Sequence, residues 1–416
     1  MALLAGVYES TPLNTSEIPQ SELNIESKYR SNPLPWTGQF SPQLVQVLLD
    51  RYASAEATVL DPFAGSGTVL FEAGRIGVPA LGVEINPAAV ILARVYTLIN
   101  TPLEVRHYVI QSLNSQLQRL FTDSLPILQG RNQNRNKDNI KHALADIAAV
   151  TTSSPASILM QALVVLSDFY KEDISVERIL AAWRKLSHIV SQLPYSQSPV
   201  SVFHSDARRI PSANFSVDIV VTSPPYINVF NYHQRYRESA EYLRWNLLEV
   251  ARSEIGSNRK HRGNRFLTVI QYCLDITQTL QELQRVTRPT GRLIFIVGRE
   301  SMVRGARLYN GEIVAEIAHQ ALGFNVVLRQ ERVFTNRYGQ SIYEDVLHFV
   351  PSAQRSCEYT LDCSRTIATK VLEATAKHAP RESRADIADA LKLLPNVRPS
   401  PVFDPETAIT SMIEGA

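Results

Sequence analysis

Apolar positions change their period twice along this chain. Residues 41–52, "SPQLVQVLLDRY", carry them at helical spacing behind Ser41, with Pro42 in the first turn, so a capped helix is predicted. "ATVLDPF" (57–63) and "PALGVEI" (79–85) read as strands, and Asp218 to Val221 alternates little and is rich in β-branched residues, as expected of a core strand of a parallel sheet. Helical spacing returns in "VLFEAGRIG" (69–77) and "NPAAVILARVYTLIN" (86–100). Strand, helix, strand and helix at this spacing predict an α/β fold with a doubly wound sheet. From 103 to about 195 the pattern is only helical: "EVRHYVIQSLNSQLQRLF", "DNIKHALADIAAV", "SILMQALVVLSDFY" and "SVERILAAWRKLSHIVSQL", with the polar connector "QGRNQNRNKDN" among them. This reads as a helical insertion between two strands.

Strand signals resume in "VSVFHSDARRI" and "VDIVVTSPPY". A helix around 269–287, a turn at "RPTG", the strand "RLIFIVG", a helix at 311–322, and the strands "FNVVLRQERVF" and "EDVLHFV" follow. The expected organisation is a first α/β part at 1–102, an insertion at 103–198, a second α/β part at 199–351 and a helical or loose tail at 352–416. Residues 1–35 are polar and are expected to run loosely over the surface, as is "PNVRPSPVFDP" in the tail.

Composition narrows the possibilities modestly. With 416 residues, 44% hydrophobic and 20% charged, the chain has ordinary globular content and room for two units. The net charge is +2, so any grip on a polyanion must come from a local patch. "MALLAGVYES" is too short and uncharged for a signal peptide, and no apolar run reaches membrane-spanning length. Cys273, Cys357 and Cys363 lack metal-ligand spacing, so no metal is expected and a reducing cytoplasm is the simplest compartment. "CEYTLDC" leaves a disulfide or half of a zinc site as the alternative.

The glycine loop "LDPFAGSGT" (60–68) sits between strand and helix, and Gly65 and Gly67 let backbone approach a ligand closely. It is neither a G-x-G-x-x-G fingerprint nor a phosphate-binding P-loop, since no Lys follows the last glycine. Glu84 ends the next strand, where an acid accepts hydrogen bonds from ribose hydroxyls. A nucleoside without a pyrophosphate is the indicated ligand. A tight strand-to-helix turn is the plain structural alternative.

Together, "DPFAGSGT", "GVEINP", "HSDARRIP" and "DIVVTSPPY" resemble the S-adenosylmethionine-dependent amino-methyltransferases of DNA, over roughly 30–100 and 200–350. The resemblance implies a Rossmann-like seven-stranded class I methyltransferase sheet. It implies that Asp61, Phe63, Gly65, Gly67 and Thr68 hold the methionine part of the cofactor, and that Glu84 and Ile85 hold the ribose. Asp206 and Ala207 would lie near the adenine edge, and Thr37 and Phe40 in "TGQFSPQL" would line the same pocket. "TSPPY" looks most like the branch that methylates N4 of cytosine; adenine N6 is the alternative.

That chemistry gives "SPPY" a purpose. The cytosine amine is a poor nucleophile because its lone pair is delocalised into the ring. Acceptors aimed at its hydrogens localise that pair, and Ser223 with the Pro224 carbonyl are the candidates. Pro224 and Pro225 fix the carbonyl before substrate arrives. Tyr226 would stack on a base flipped from the duplex. Methylation at carbon 5 needs a nucleophilic cysteine, usually after proline, and none of the three follows one.

The following stretch, 228–266, interleaves Tyr, Phe and Trp with Arg, Lys and His and ends in "SNRKHRGNR". Arg259, Lys260, Arg262 and Arg265 are the expected phosphate contacts on double-stranded DNA, with Arg337 or Tyr338 as further groove contacts. His233 and His261 read as polar contacts rather than catalysts. A solvated helix and charged loop is the plain alternative. The expected protein is a prokaryotic, cytoplasmic, nucleoid-associated enzyme, acting beside a restriction endonuclease or alone. Rival functions are guanine-N2 methylation of RNA, whose motif is usually "DPPYG", and non-catalytic nucleic-acid binding.

Overall fold

The computed structural model describes residues 4, 6–39, 41–123, 133–170, 174–227, 232–257, 261–336, 338–352 and 357–405. Short helices α1 (Val7–Ser10) and α2 (Gln20–Asn24) precede α3 (Pro42–Tyr52), which Ser41 caps by accepting from the Gln43 amide. Then come β1 (Val59–Asp61), α4 (Thr68–Arg75), β2 (Ala80–Glu84) and α5 (Pro87–Thr97). The insertion is α6 (Leu103–Asp123), α7 (Gln133–Val150), α8 (Ser154–Ser167) and α9 (Val176–Ser191). The α/β pattern resumes with β3 (Val200–His204), β4 (Val217–Thr222), α10 (Arg237–Tyr242), α11 (Leu247–Ser253) and α12 (Phe266–Val286). The rest is β5 (Thr287–Gly298), β6 (Glu300–Val303), β7 (Ala306–Tyr309), α13 (Asn310–Glu316), β8 (Asn325–Thr335), β9 (Ser341–Val350), α14 (Cys357–His378) and α15 (Arg381–Leu393).

The sheet runs β3-β2-β1-β4-β5-β9-β8. The first five strands are parallel, and β9 is antiparallel to both of its neighbours. That order, with one reversed strand near the far edge, is the Rossmann-like seven-stranded class I methyltransferase sheet expected from the sequence. Strand β5 shows why the central strands do not alternate. Leu293, Phe295 and Val297 face the layer of α12, α13 and α14, while Ile294 and Ile296 face the layer of α3 and α4. Both faces are covered, so every position is apolar.

The insertion packs on α5, and its own core includes Leu144, Leu163, Trp183 and Leu186. Buried Arg106 closes it, donating from Nη1 to the carbonyls of Val190 (2.8 Å) and Leu193 (2.6 Å). Among the described residues no helix is long and apolar enough to cross a membrane.

Several local expectations change. The N-terminal segment is not loose: Ile18, Leu23 and Leu34 are buried, and the segment covers strand β8. The Asn14 amide donates to the Arg329 carbonyl (2.8 Å), and Asn24 Oδ1 accepts from the Val333 amide (2.8 Å). A polar segment suits this task, because an edge strand offers unpaired backbone groups that polar atoms satisfy. "RPTG" is absorbed into β5, which starts by pairing Thr287 with Val217 before a register shift. The β6–β7 hairpin was not foreseen, and "PNVRPSPVFDP" is packed rather than loose, with Phe403 2% exposed. Cys273 and Cys363 are free thiols; the side chain of Cys357 lies outside the described residues.

Candidate active site

Two chain segments that start at neighbouring strand ends meet at one cleft. Strands β1 and β4 are adjacent and parallel, so the glycine loop after β1 and the Ser-Pro-Pro-Tyr segment after β4 leave the same sheet edge. Thr222, the last residue of β4, ties them by donating its hydroxyl to Asp61 Oδ1 at 2.7 Å. Gly65 on one side and Ser223 and Pro225 on the other line the same cleft.

The loop's shape explains its glycines. Gly65 has φ +51° and Gly67 φ +91°, backbone that other residues adopt at a cost. A Cβ on Gly65 would stand 3.1 Å from the Trp36 ring; one on Gly67 would stand 2.9 Å from Tyr96 and 3.1 Å from the Ala93 backbone. Gly65 therefore makes the cleft wall, while Gly67 packs the loop onto α5 and does not line the cleft. Thr68 Oγ1 donates to Asn32 Oδ1 (3.0 Å), and Gln39 bonds Ser66, so the segment before α3 folds over the loop.

Glu84 braces the loop from beneath. Its Oε2 accepts from the Gly65 amide (2.8 Å), and its Oε1 accepts from the amides of Ile85 (2.9 Å) and Asn86 (2.8 Å). Burial still raises its pKa against those three donors. Burial pushes Asp61 up to about 7, against the Thr222 hydroxyl and the Phe63 amide.

Asp206 lines the cleft with Ala207, and its carboxylate is heavily engaged. Oδ1 accepts from the Arg208 amide (2.9 Å) and Nε (2.8 Å), and Oδ2 accepts from Arg208 Nη2 (2.7 Å) and the Phe403 amide (2.9 Å).

On the other side, Ser223 Oγ and the Tyr226 hydroxyl are 3.1 Å apart. The Tyr226 ring lies on Gly298, where a Cβ would come within 2.9 Å of Cε2. Burial raises its phenol pKa, so the group is neutral. Tyr226 and buried Pro224 stand behind the cleft surface rather than on it.

The cleft thus contains Thr37, Asp61, Phe63, Gly65, Thr68, Glu84, Ile85, Asp206, Ala207, Ser223 and Pro225. Phe40 lies outside the described residues. Arg259, Lys260 and Arg337 do too; Arg262 is exposed, Arg265 is partly buried before α12, and Tyr338 is 72% exposed.

Sequence reasoning missed Trp36, Tyr232 and Glu254, which also line the cleft. Trp36 stands one residue before the segment singled out, and its neighbour Tyr236 lies 6.3 Å away in a stacked arrangement. Glu254 accepts from the His233 amide at 2.6 Å and contacts its Nδ1 at 2.5 Å, anchoring the turn that carries Tyr232. Residues 232–257 are thus as much a cleft wall as a surface, a role that an aromatic and basic pattern does not signal.

The donor set decides which ligand suits this cleft. Four acids line it, Asp61, Glu84, Asp206 and Glu254, and none of its described residues is Lys, Arg or His. Arg208 already pairs with Asp206, and the remaining lining offers a phosphate no cationic side chain, whereas Asp61, Glu84 and Glu254 favour a cation.

Residues 10–94 match the DNA methylase family model. That segment contains α3, β1, the glycine loop, Glu84 and Ile85. A stretch of 61 residues is 38% identical to the type II methyltransferase M.MjaII of Methanocaldococcus jannaschii, covering 15% of this chain and 12% of that protein. These findings support a DNA methyltransferase family and do not separate cytosine N4 from adenine N6. A match to the DNA methylase family model on this sheet agrees with the S-adenosylmethionine expected from the sequence.

Similar solved structures include two methyltransferases. A SAM-dependent methyltransferase from Methanosarcina mazei is 11% identical, with TM-score 0.34, over 74% of this chain and 98% of that one. The rRNA methyltransferase aviRa from Streptomyces viridochromogenes is 12% identical, with TM-score 0.28, over 87% and 96%.

Proposed function

We propose that this chain is a site-specific DNA methyltransferase that moves a methyl group from S-adenosylmethionine to the exocyclic N4 of cytosine in duplex DNA. The observation that carries the reading is the shared cleft, where acids without bases meet Ser223 and Pro225. The methionine end is assigned to Asp61, Phe63, Gly65 and Thr68, the ribose to Glu84 and Ile85, and the far wall to Asp206 and Ala207. Thr37 and Trp36 close the near side.

When bound, S-adenosylmethionine supplies an electrophilic methyl group on a positively charged sulfur. Ser223 Oγ and the Pro224 carbonyl accept the two amine hydrogens of an extruded cytosine and localise its lone pair. Pro224 and Pro225 hold that carbonyl with no ordering cost during reaction. The Tyr226 hydroxyl orients Ser223 from behind the cleft surface, so the ring supports the serine rather than stacking on the base as the sequence suggested. The amine proton leaves to solvent water as the new bond forms, and Ser223 stays a neutral hydrogen-bonding hydroxyl. Arg262 and Arg265, with Arg259 and Lys260, are assigned to phosphates.

Expression in a host without DNA methylation, followed by long-read mapping of modified bases, tests the proposal. N4-methylcytosine in one short motif is expected. N6-methyladenine alone would overturn the base assignment and favour the other branch; no modified base at all would overturn the enzyme.

A further inference from the structure

The segment that looked loose in sequence, 398–404, meets the cleft through one side chain. Arg208 is buried between the cleft wall and this strap. Its guanidinium holds Asp206 at two points, donates from Nη1 to Asp275 Oδ1 (3.1 Å) and the Ser400 carbonyl (2.8 Å), and donates from Nη2 to the Pro401 carbonyl (2.8 Å). Nη2 also reaches the carbonyl of Ser253, a cleft residue, at 3.3 Å.

The strap answers with donors of its own. Ser400 gives its amide to Asp275 Oδ1 (2.7 Å) and its hydroxyl to Asp275 Oδ2 (2.6 Å), and the Phe403 amide completes Asp206 Oδ2. The Phe403 ring packs 4.7 Å from His204, at the end of β3.

A carboxylate offers about four acceptor positions, two on each oxygen. All of those on Asp206 are taken by protein donors, three from Arg208 and one from the strap. None remains for a ligand's amino group. We propose that Asp206 and Arg208 are positioning residues, not ligands: the strap at 398–404, clamped through Arg208, sets the cleft wall at Asp206, Ala207 and Ser253 and thereby the cofactor's affinity. The proposal rests on the assignment of this cleft to S-adenosylmethionine.

The test titrates S-adenosylhomocysteine and its inosine analogue, which lacks the adenine amine, into wild type, Phe403→Ala, Arg208→Lys and Asp206→Asn by calorimetry. Steady-state kinetics and cofactor-free DNA binding are measured in parallel. Phe403→Ala and Arg208→Lys are each expected to weaken S-adenosylhomocysteine by about tenfold. The cofactor KM should rise with kcat and DNA affinity unchanged, a split that general loss of structure does not produce. The double variant should lose less than the product of the singles, since both act through one network.

The preference for the adenosine ligand over the inosine ligand should be the same in Asp206→Asn as in wild type. Collapse of that preference would show that Asp206 reads the amine and overturn the proposal, as would wild-type affinity in Phe403→Ala and Arg208→Lys. Wild type that binds neither ligand would overturn the cofactor assignment and this proposal with it. Wild type that binds, with the variants unaffected, overturns the strap alone.

Discussion

Asp61 accepts hydrogen bonds from Thr222 and Phe63, yet burial raises it from an ordinary 3.8 to about 7. Between those values the folded protein holds a proton that the unfolded chain releases. Stability therefore falls as pH rises from 3.8 toward 7 and levels off above, by at most about 1.4 kcal/mol per pH unit for one group. Glu84 is raised too, so Asp61→Asn should reduce this slope in denaturation series rather than abolish it. Binding has the opposite sign. A cationic cofactor favours the ionised acid, so its affinity should climb with pH up to about 7 and then plateau, with a shallower climb in Asp61→Asn. A profile flat through neutrality in wild type would remove Asp61 from the cationic end. Ser223 is tied to Tyr226 rather than to the glycine loop. Ser223→Ala should accordingly keep cofactor affinity within about twofold and lower kcat by about a hundredfold, read from calorimetry and single-turnover rates.

Strand ends, more than side chains alone, position this site, and Gly298 at the end of β5 shows how. Its missing side chain is the space in which the Tyr226 ring lies, with Cε2 2.9 Å and Cζ 3.2 Å from where a Cβ would stand. Gly298→Ala must push that ring off Ser223. The expected result is kcat reduced as in Ser223→Ala, with cofactor affinity unchanged, since Gly298 does not line the cleft. Unchanged kcat would separate Tyr226 from catalysis. Nothing in "RLIFIVG" announces this contact, because it joins residues far apart in sequence. The elements themselves were far more legible. Doubly buried strands read as unbroken apolar runs, and β4 is legible that way; β1, β2 and β5 are legible as strands, and the glycine loop with Glu84 behind it as a motif. Segments whose partner is another element's backbone were not. Residues 7–34 cover a sheet edge with polar atoms, and 398–404 satisfy a buried arginine with carbonyls, a task open to almost any side chain. The cleft was half legible for the same reason: Asp61, Glu84 and Ser223 stand in short motifs, whereas Trp36, Tyr232 and Glu254 reach it from other segments.

The molecule's net charge of +2 conceals a division of labour. Acids line the cleft, buried Arg208 pairs with Asp206 behind its wall, and no Lys, Arg or His stands among its described lining residues. Such a cleft repels a phosphate backbone while admitting a cation and a neutral base. Under the proposed function, duplex DNA is held by cations outside it, and each phosphate neutralised adds nearly one unit to the salt dependence of binding. Arg262 is an exposed candidate on a loop fixed from two sides: Asn264 Nδ2 donates to the Asp386 carbonyl (2.6 Å), and Arg304 Nη2 donates to the Gly263 carbonyl (3.3 Å). A fixed loop presents its charge without a large ordering cost. Arg262→Ala should therefore weaken DNA binding alike for cognate and non-cognate sequences, and reduce the slope of log affinity against log salt by about one. Cofactor affinity and melting temperature should not move, because Arg262 lies outside both cleft and core. Fluorescence anisotropy across a salt series reads both quantities. Loss confined to the cognate sequence would make Arg262 a base reader instead, and an unchanged slope would turn the DNA-facing surface away from this loop.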